Sequence, residues 1–574
     1  MKKLLIYLKD YKKESFLAPL FKMLEAIFEL IVPLVVASII DNGILNNDKG
    51  FIISRSGILV LLAVVGMIAA ITAQYFAAKA ATGFGKELRH SLFDKIQSLS
   101  FSELDKIGAS SLITRITTDA NQVQNGVNLV LRLFLRSPFI VFGAMIMAFT
   151  VDVKCALIFV GVIPLLSLVV FGIMVYTIPK YKKVQNHLDG ITLKTRENLS
   201  GARVIRAFTQ EENEIEDFTK KNNLLSLLQK SVGRISALMN PVTYVIINAG
   251  VILLIYSGAI QVNEGNLSQG EVVALYNYMS QILVELIKLA NLIITVTKAL
   301  ACASRIENVL NLENSLEHNS NNAVQTNHAV DFRNVSLRYK DASDNSLENI
   351  TFSAEKGNVI GVIGGTGSGK TSLVSLIPHF YDATDGEVLV NGVDVKSYSD
   401  EELRLKTGFV LQKAALFKGT VRDNLKWGRE NASDEDMLSA LEKAQILDSI
   451  KEKGGLDAEI EQNGSNLSGG QKQRLSVARA LVRKPEILVL DDSSSALDFA
   501  TEAAMRKEIL NLDYNPTVFI VSQRASSVMC ADKIIVLDDG AVVGIGMHSD
   551  LLESCEVYKE IYDSQFGKED TYEK

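Results

Sequence analysis

The chain has 574 residues, enough for several domains, and it combines a hydrophobic content of 48% with a charged content of 22%. This mixture indicates a membrane-embedded part joined to a soluble part. A net charge of −7 excludes a typical nucleic-acid-binding protein, and the four scattered cysteines exclude a disulfide framework or a cysteine metal site.

The chain begins with a stretch whose apolar side chains share one helical face. Leu4, Tyr7, Leu8 and Tyr11 form that face, and lysines surround it. We expect this helix to lie on the inner surface of the membrane, where the lysines meet anionic lipid. An ordinary solvated helix is the alternative.

Six segments come close to or exceed the ~20 apolar residues that a helix needs to cross a bilayer. They lie at 16–41, 57–82, 129–151, 154–178, 238–262 and 270–298. The second-to-third and fourth-to-fifth connections are long, charged and helix-like. We therefore predict that the membrane helices continue beyond the bilayer and turn at tips near 110–119 and 198–209.

Lysine and arginine concentrate in the N-terminal stretch and in the two long connections. By the positive-inside rule, both termini and these connections lie in the cytoplasm. The sequence therefore predicts a multi-pass protein of the inner (plasma) membrane.

Several membrane segments carry ionisable residues, which rarely face lipid. One interpretation is pairing between helices, for instance of Glu29 with Arg136. The other is that some of these residues line a substrate cavity. The candidate residues are Glu25, Glu29, Arg132, Arg136, Glu285 and Lys288.

The soluble part follows a polar linker that is rich in Asn, Ser and Glu. Apolar runs of strand length then alternate with helical stretches and glycine turns, which is typical of an α/β domain. We assign residues 1–312 to the membrane domain, 313–329 to the linker, 330–567 to the α/β domain and 568–574 to a polar tail.

The α/β domain contains the sequence of a phosphate-binding loop. The β-branched run 359–363 predicts a buried strand, and an apolar helix follows the loop. Backbone N–H groups of such a loop bind phosphates, its lysine reaches the β and γ phosphates, and its hydroxyl binds Mg²⁺. We therefore predict ATP and Mg²⁺ as ligands. The loop consists of Gly364, Gly365, Thr366, Gly367, Ser368, Gly369, Lys370 and Thr371.

A second buried strand, 487–490, ends in Asp491, the expected partner of the magnesium shell. Further motifs lie between the phosphate loop and this strand, and one more follows the strand. In their order and spacing they resemble the nucleotide-binding domain of ABC transporters. They are Gln412, the signature Leu467, Ser468, Gly469, Gly470 and Gln471, and the run 495–498 that ends in Asp498.

The resemblance covers nearly the whole chain and implies the exporter half-transporter. The fold class would be an all-α transmembrane domain of six helices with long cytoplasmic extensions, followed by an α/β P-loop ABC domain. By the same resemblance Tyr339 stacks on adenine, Gln412 contacts magnesium and the attacking water, and Asp498 links two sites across a dimer. Each site would use one chain's phosphate loop and the other chain's signature.

The chain departs from that pattern at two positions of its own phosphate-loop site. Asp492 stands where the family's general-base glutamate is expected, and Gln523 stands where a phosphate-sensing histidine is expected. The signature is intact. We interpret the chain as the degenerate-site subunit of a heterodimeric exporter, whose signature completes the hydrolytic site of a related partner. Hydrolysis is then expected mainly at the partner's site.

The transported molecule is expected to be an amphipathic small molecule, drug-like or lipid-like. Two alternatives stay open at this stage. One is a homodimeric lipid or peptide exporter, in which Asp492 and Gln523 have simply drifted. The other is a regulatory ATP-binding membrane subunit that gates a conductance without pumping.

Overall fold

The structure is a computed structural model that describes residues 3–313, 316, 327–340 and 342–567. It divides into a helical unit, Met1–Gln97 with Ala109–Leu312, and an α/β unit, Ser98–Gly108 with Glu313–Lys574. Most of the predicted linker, the whole predicted tail and the first two residues of the N-terminal stretch lie outside the described residues.

The helical unit opens with a 3-10 segment, Leu4–Tyr11, and contains two π-helical segments, Ile39–Ile44 and Arg115–Asp119. Its α-helices are α1 (Lys12–Ser38), α2 (Lys49–Gln97), α4 (Ala109–Thr114), α5 (Ala120–Leu133), α6 (Arg136–Val151), α7 (Val153–Ser200), α8 (Ala202–Ala207), α9 (Glu211–Ala237), α10 (Met239–Asn263) and α11 (Gln269–Leu310). The helix α3 (Phe101–Ile107) belongs to the α/β unit.

Within the described part of the chain, six helical stretches are long and apolar enough to cross a membrane. Each contains one of the six predicted segments, and each extends well beyond it. They are Leu4–Ile44, Lys49–Gln97, Ala109–Val151, Val153–Ser200, Glu211–Asn263 and Gln269–Leu310.

The first long connection turns earlier than the sequence predicted. The helix α2 ends at Gln97, and Gly108 ends α3 with a φ of 77°, a left-handed conformation that suits glycine. The residues 110–119, where we expected the tip, instead form α4 and a π-helical segment. In the second connection the chain turns at Gly201, between α7 and α8, and again at Thr209.

Helix α3 is counted with the α/β unit because its side chains pack there. Phe101 stacks on Phe380 with ring centroids 4.3 Å apart. The hydroxyl of Tyr381 donates to a carboxylate oxygen of Asp105 over 2.6 Å. An aromatic contact and a charge-assisted hydrogen bond therefore join this short helix to the rest of the α/β unit.

The α/β unit contains three sheets among its described residues, with strand orders β2-β1-β4-β5, β12-β11-β3-β10-β9-β6 and β7-β8. The strands are β1 (His328–Leu337), β2 (Leu347–Glu355), β3 (Val359–Gly364), β4 (Asp385–Val390), β5 (Val393–Asp394), β6 (Thr407–Val410), β7 (Gly419–Thr420), β8 (Glu459–Ile460), β9 (Ile487–Asp491), β10 (Thr517–Ser522), β11 (Lys533–Asp538) and β12 (Ala541–Gly546).

The remaining helices of this unit cover the sheets or form a helical region between β7 and β9. They are α12 (Lys370–Ser375), α13 (Asp400–Lys406), α14 (Val421–Lys426), α15 (Asp434–Lys443), α16 (Leu447–Lys451), α17 (Gly469–Val482), α18 (Phe499–Leu510), α19 (Ala525–Val528), α20 (His548–Ser554) and α21 (Glu556–Phe566).

The central strands of the six-stranded sheet run parallel, and β3, β9 and β10 are buried almost throughout. Parallel strands of this kind are covered on both faces, which explains their continuous Val, Ile and Leu runs. Their carboxyl ends meet at one edge, where ligands bind in such sheets. An all-helical domain with six apolar helices followed by an α/β domain confirms the predicted fold class.

Candidate nucleotide-binding site

The phosphate loop connects β3 directly to α12, and its glycines are needed for its shape. Gly367 and Gly369 have φ values of 86° and 92°, which other residues rarely adopt. A side chain at Gly364 would collide with the carbonyl oxygen of Leu537, and one at Gly369 would lie 2.7 Å from that of Ser346. The glycines therefore allow a tightly packed backbone with left-handed residues at two positions, the kind of loop whose N–H groups bind an anion.

Lys370 is held inside this loop. Its Nζ donates to the carbonyl oxygens of Gly364 and Gly365 over 2.9 and 2.5 Å, and it lies 3.4 Å from the Ser368 hydroxyl. Burial lowers the pKa of Lys370, while the nearby carboxylates Asp491 and Asp492 raise it. The ammonium thus sits partly desolvated where a phosphate is expected, which strengthens its attraction to an anion.

Two oxygen ligands suited to magnesium stand next to the loop. The Thr371 hydroxyl donates to Asp491 over 3.0 Å, and Asp491 is 1% exposed at the end of β9. Burial raises the pKa of Asp491, and the Thr371 hydrogen bond opposes that shift. Hard oxygen donors on rigid elements fit Mg²⁺, which typically takes one or two protein ligands together with phosphate oxygens.

The two unusual residues both line the same cavity as the loop. The Gln412 amide donates to a carboxylate oxygen of Asp492 over 3.2 Å. The backbone N–H of Asp492 bonds the Val521 carbonyl, and its φ is 45°. The side-chain oxygen of Gln523 lies 3.4 Å from the Thr366 hydroxyl. The predicted base position, the predicted switch position and Gln412 are therefore brought together.

The cavity has a volume of about 650 Å³, and sequence reasoning missed part of its wall. Most of the missed residues come from the loop after β1 and from the β11–β12 turn. The two segments meet at Gly540, whose carbonyl accepts from the N–H of Glu348, at the start of β2, over 2.9 Å. Asp539-Gly540 is a recognisable turn signal, but nothing local links it to the phosphate loop. The missed lining residues are 342–346, Ser372, Val521, Asp539 and Gly540.

Tyr339 does not line this cavity. Its hydroxyl lies 2.9 Å from that of Ser372, and its ring packs edge-on against Tyr381 at 5.2 Å. Burial raises the pKa of Tyr339. Ser372 is itself a lining residue, so Tyr339 stands directly behind the wall, and its stacking on adenine stays a prediction.

The signature begins a separate helix, α17. The Ser468 hydroxyl accepts from Gln471 N–H over 3.2 Å, and the Gln471 side chain accepts from Ser468 N–H over 3.0 Å. This reciprocal capping box leaves Gly469 and Gly470 in the first turn of a 14-residue helix. None of the signature residues lines the cavity described above. The first turn of α17 is therefore separate from the phosphate-loop cavity of the same chain.

Asp498 also caps a helix. Its side chain accepts from Thr501 N–H over 3.0 Å at the start of α18, and this bond lowers the pKa of Asp498. Asp498 is exposed, and like the signature it lies outside the cavity lining. Its predicted role across a dimer stays a prediction.

Most of the charged membrane residues are paired. Arg136 on α6 lies 2.6 Å from Glu29 on α1, the pairing expected from the sequence, and 2.6 Å from Glu285 on α11. Lys288 also contacts Glu285, over 2.8 Å, and Glu25 pairs with Lys22 and lies 3.9 Å from Arg136. Glu29, Glu285 and Lys288 line a second cavity, which Glu25, Arg132 and Arg136 do not.

Comparison with known proteins agrees with these observations. The family "ABC transporter transmembrane region" matches residues 15–286, and the family "ABC transporter" matches residues 347–495. The Bacillus subtilis ABC transporter ATP-binding protein YfiB is 36% identical over 570 residues, covering 99% of both chains. The putative multidrug export ATP-binding/permease protein YgaD of the same organism is 30% identical, covering 98% of this chain and 99% of its own.

A solved structure has the same fold. It is described as a bacterial Atm1-family ABC exporter with ATP bound, and it matches with a TM-score of 0.81 over 97% of this chain and 99% of that chain. The two sequences are 21% identical, so the likeness concerns the fold.

Proposed function

Because the chain belongs to the ABC transporter family, with membrane and ATP-binding domains fused in one polypeptide, we propose that it is the degenerate-site subunit of a heterodimeric exporter. Its own phosphate-loop site would bind ATP and rarely cleave it. Its signature would complete the hydrolytic site of a homologous partner. The transported molecules would be amphipathic and small, in line with the similarity to YgaD, a putative multidrug exporter.

The observation that carries this proposal is the contact between Gln412 and Asp492. An aspartate carboxylate ends about 1.5 Å short of a glutamate carboxylate, the length of one C–C bond. A general base must reach the attacking water within hydrogen-bond distance, and catalytic geometry tolerates only about 0.5 Å of error. Asp492 is instead bonded to the Gln412 amide over 3.2 Å. Gln523 is neutral at any ordinary pH and lacks the imidazole's choice of donor and acceptor.

The groups that would bind phosphate and magnesium are all present. Lys370 and the loop N–H groups would hold the phosphates, while Thr371 and Asp491 would hold magnesium, and Gln412 lines the same cavity. Bound magnesium would neutralise phosphate charge. The chain therefore keeps the groups that bind nucleotide and lacks the groups that activate water.

The signature supports a role at another chain's site. The Ser468–Gln471 capping box fixes the first turn of α17, whose N–H groups favour an anion. The turn of the second long connection, between α7 and α9, further supports a partner chain, because it leaves large apolar side chains exposed. Val204 and Phe208 are 60% and 72% exposed there.

We propose that both turns transmit closure of the ATP-binding domains to the membrane helices. The chain would lie in the inner membrane with both termini in the cytoplasm.

The test compares how much ATP turnover the purified complex loses after each of two substitutions. Replacing the partner's catalytic glutamate with glutamine is expected to cut ATP turnover by roughly 10²-fold or more, because a general base is lost. Asp492→Asn is expected to reduce turnover far less. The chain purified alone is expected to hydrolyse ATP poorly.

Equal losses from the two substitutions would refute the division of labour. Substantial turnover by the chain alone would favour a homodimer. A ligand-gated conductance without ligand-stimulated turnover would favour the regulatory subunit.

A further inference from the structure

The loop 492–498 connects two parts of the α/β unit that have different predicted roles. It begins at Asp492, in the wall of the chain's own nucleotide cavity, and ends at Asp498, which caps α18. Between these ends, Ser495 and Ala496 are exposed. The loop therefore leaves the nucleotide cavity and reaches the surface within a few residues.

The exposed part of this loop packs against the signature. A Cβ at Gly469 would lie 3.6 Å from the Cβ of Ala496, and a Cβ at Gly470 would lie 3.0 Å from the Ala496 carbonyl oxygen. Glycine allows such a close approach of two backbone segments. The first turn of α17 and the loop 492–498 therefore touch each other directly.

Gln473, in the second turn of α17, joins the two elements by hydrogen bonds. Its Nε2 donates to the Ser495 hydroxyl oxygen over 3.1 Å, and its Oε1 accepts from the N–H of Ala496 over 3.1 Å. A backbone N–H can only donate, so it fixes which end of the amide faces the loop. Gln473 is 7% exposed, and one buried side chain thus holds two successive loop residues.

Gln473 does not line the nucleotide cavity, so its amide is used on the loop and not on this chain's own ligand. The next residue, Arg474, adds an electrostatic attraction. The bond from Thr501 N–H lowers the pKa of Asp498, and the positive charge of Arg474 lowers it further. Both ends of the exposed part of the loop are therefore attracted to α17.

From these contacts we propose that Gln473 is a positioning residue for the ATP site of the partner chain. It would hold the loop 492–498 on α17, so that Asp498 and Ser468 meet the partner's ATP as one preformed unit. Catalytic groups have to be held within about 0.5 Å of their productive positions, and supporting hydrogen bonds provide that precision. The inference rests on the proposed function, since it concerns the site that the signature would complete.

The experiment measures kcat and KM for ATP in the purified complex with the partner. Gln473→Met removes both hydrogen bonds and keeps a side chain of similar length, while water can bond the exposed Ala496 N–H. We expect kcat to fall roughly 10-fold or more, because a misplacement of about 1 Å can cost up to 10²-fold. The KM and the retention of nucleotide at this chain's own site should stay nearly unchanged.

Ser495→Ala removes one of the two hydrogen bonds, and it should lower kcat less than Gln473→Met does. Its matched control is Ser476→Ala, the same chemical change three residues after Gln473 on α17. Ser476 is 5% exposed, and its hydroxyl bonds the Lys472 carbonyl over 3.0 Å, within the helix. This control should leave kcat nearly unchanged.

The double variant tests whether Gln473 acts through the loop. Gln473→Met combined with Ser495→Ala should lose no more turnover than Gln473→Met alone, because both changes remove the same hydrogen bond. Losses that multiply would show that the two side chains act separately, and they would overturn the assignment.

An unchanged kcat in Gln473→Met would also overturn it, as would equal losses from Ser495→Ala and Ser476→Ala. If Gln473→Met does not yield a folded complex, the comparison of those two serine variants decides. The proposed division of ATP hydrolysis is tested by other variants, Asp492→Asn and loss of the partner's glutamate. In a homodimer Gln473→Met would lower the turnover of the chain alone, so a failure of the division leaves this result standing.

Discussion

At the scale of single residues, the structure brings together the residues that the sequence assigned to phosphate and magnesium binding. Lys370, Thr371 and Asp491 belong to motifs whose spacing fixes their geometry, and the structure places them side by side. The hydrogen bond between Gln412 and Asp492 could not be predicted, because those residues are 80 positions apart and on different elements. Tyr339 illustrates the same limit, since its packing against the distant Tyr381 could not be predicted from the local sequence.

Lys370 leads to a prediction about pH. Burial lowers its pKa in the free site, so the ammonium loses its proton at a lower pH than the ordinary lysine value of 10.5. ATP binding needs the charged form. As the pH rises, the affinity for ATP should therefore begin to decrease at a pH lower than 10.5. Titration with a fluorescent ATP analogue across alkaline pH measures this.

Lys370→Arg is the matched control for that titration, because a guanidinium stays charged throughout the range. Its absolute affinity is expected to be lower, but its alkaline decline should be flatter. The same alkaline slope in both proteins would show that Lys370 is not the titrating group.

At the scale of elements, the lengths of the apolar segments predicted the six helical stretches of the described chain that are long and apolar enough to cross a membrane. The sequence pattern after the linker also predicted the alternation of strands and helices. The position of the first turn was missed by about ten residues. Gly108 was a usable signal for it, but the polar stretch 110–119 resembled a tip more closely. The packing of α3 by Phe101 against Phe380 is a long-range contact that no local pattern reveals.

The start of α11 shows how tightly two membrane helices are joined. Asp41, just after α1, accepts from Gly270 N–H over 2.7 Å and from the Ser268 hydroxyl over 2.5 Å. A Cβ at Gly270 would collide with the carbonyl oxygen of Ala37 and lie 2.8 Å from its Cα. The end of α1 and the start of α11 therefore meet backbone to backbone.

Gly270→Ala is expected to destabilise the helical unit by about 1–3 kcal/mol, the usual cost of overpacking. Thermal unfolding of the purified protein in detergent measures the change. Gly172→Ala is the control, because a Cβ at Gly172 meets nothing within 4 Å and alanine favours a helix. Equal shifts in the two variants would mean that the close contact at Gly270 contributes nothing.

At the scale of the whole molecule, the chain is an ABC transporter with the exporter fold, and the sequence motifs were sufficient for that conclusion. Motifs identify which chemical groups a chain carries. In the proposed heterodimer a second chain completes each ATP site, so that chain's signature and catalytic residues have to be read from its own sequence. The division of labour proposed here follows from an incomplete base at Asp492 beside an intact signature at Ser468.

The most direct test of this division uses two substitutions in this chain alone, in the complex with its partner. Ser468→Arg alters the site completed by the signature, and it should reduce ATP turnover by roughly 10²-fold or more, as loss of a preorganised donor does. Lys370→Ala alters the chain's own site and should weaken nucleotide retention while leaving most turnover. In a homodimer both changes would affect both sites. Equal losses, or a greater loss from Lys370→Ala, would contradict the account.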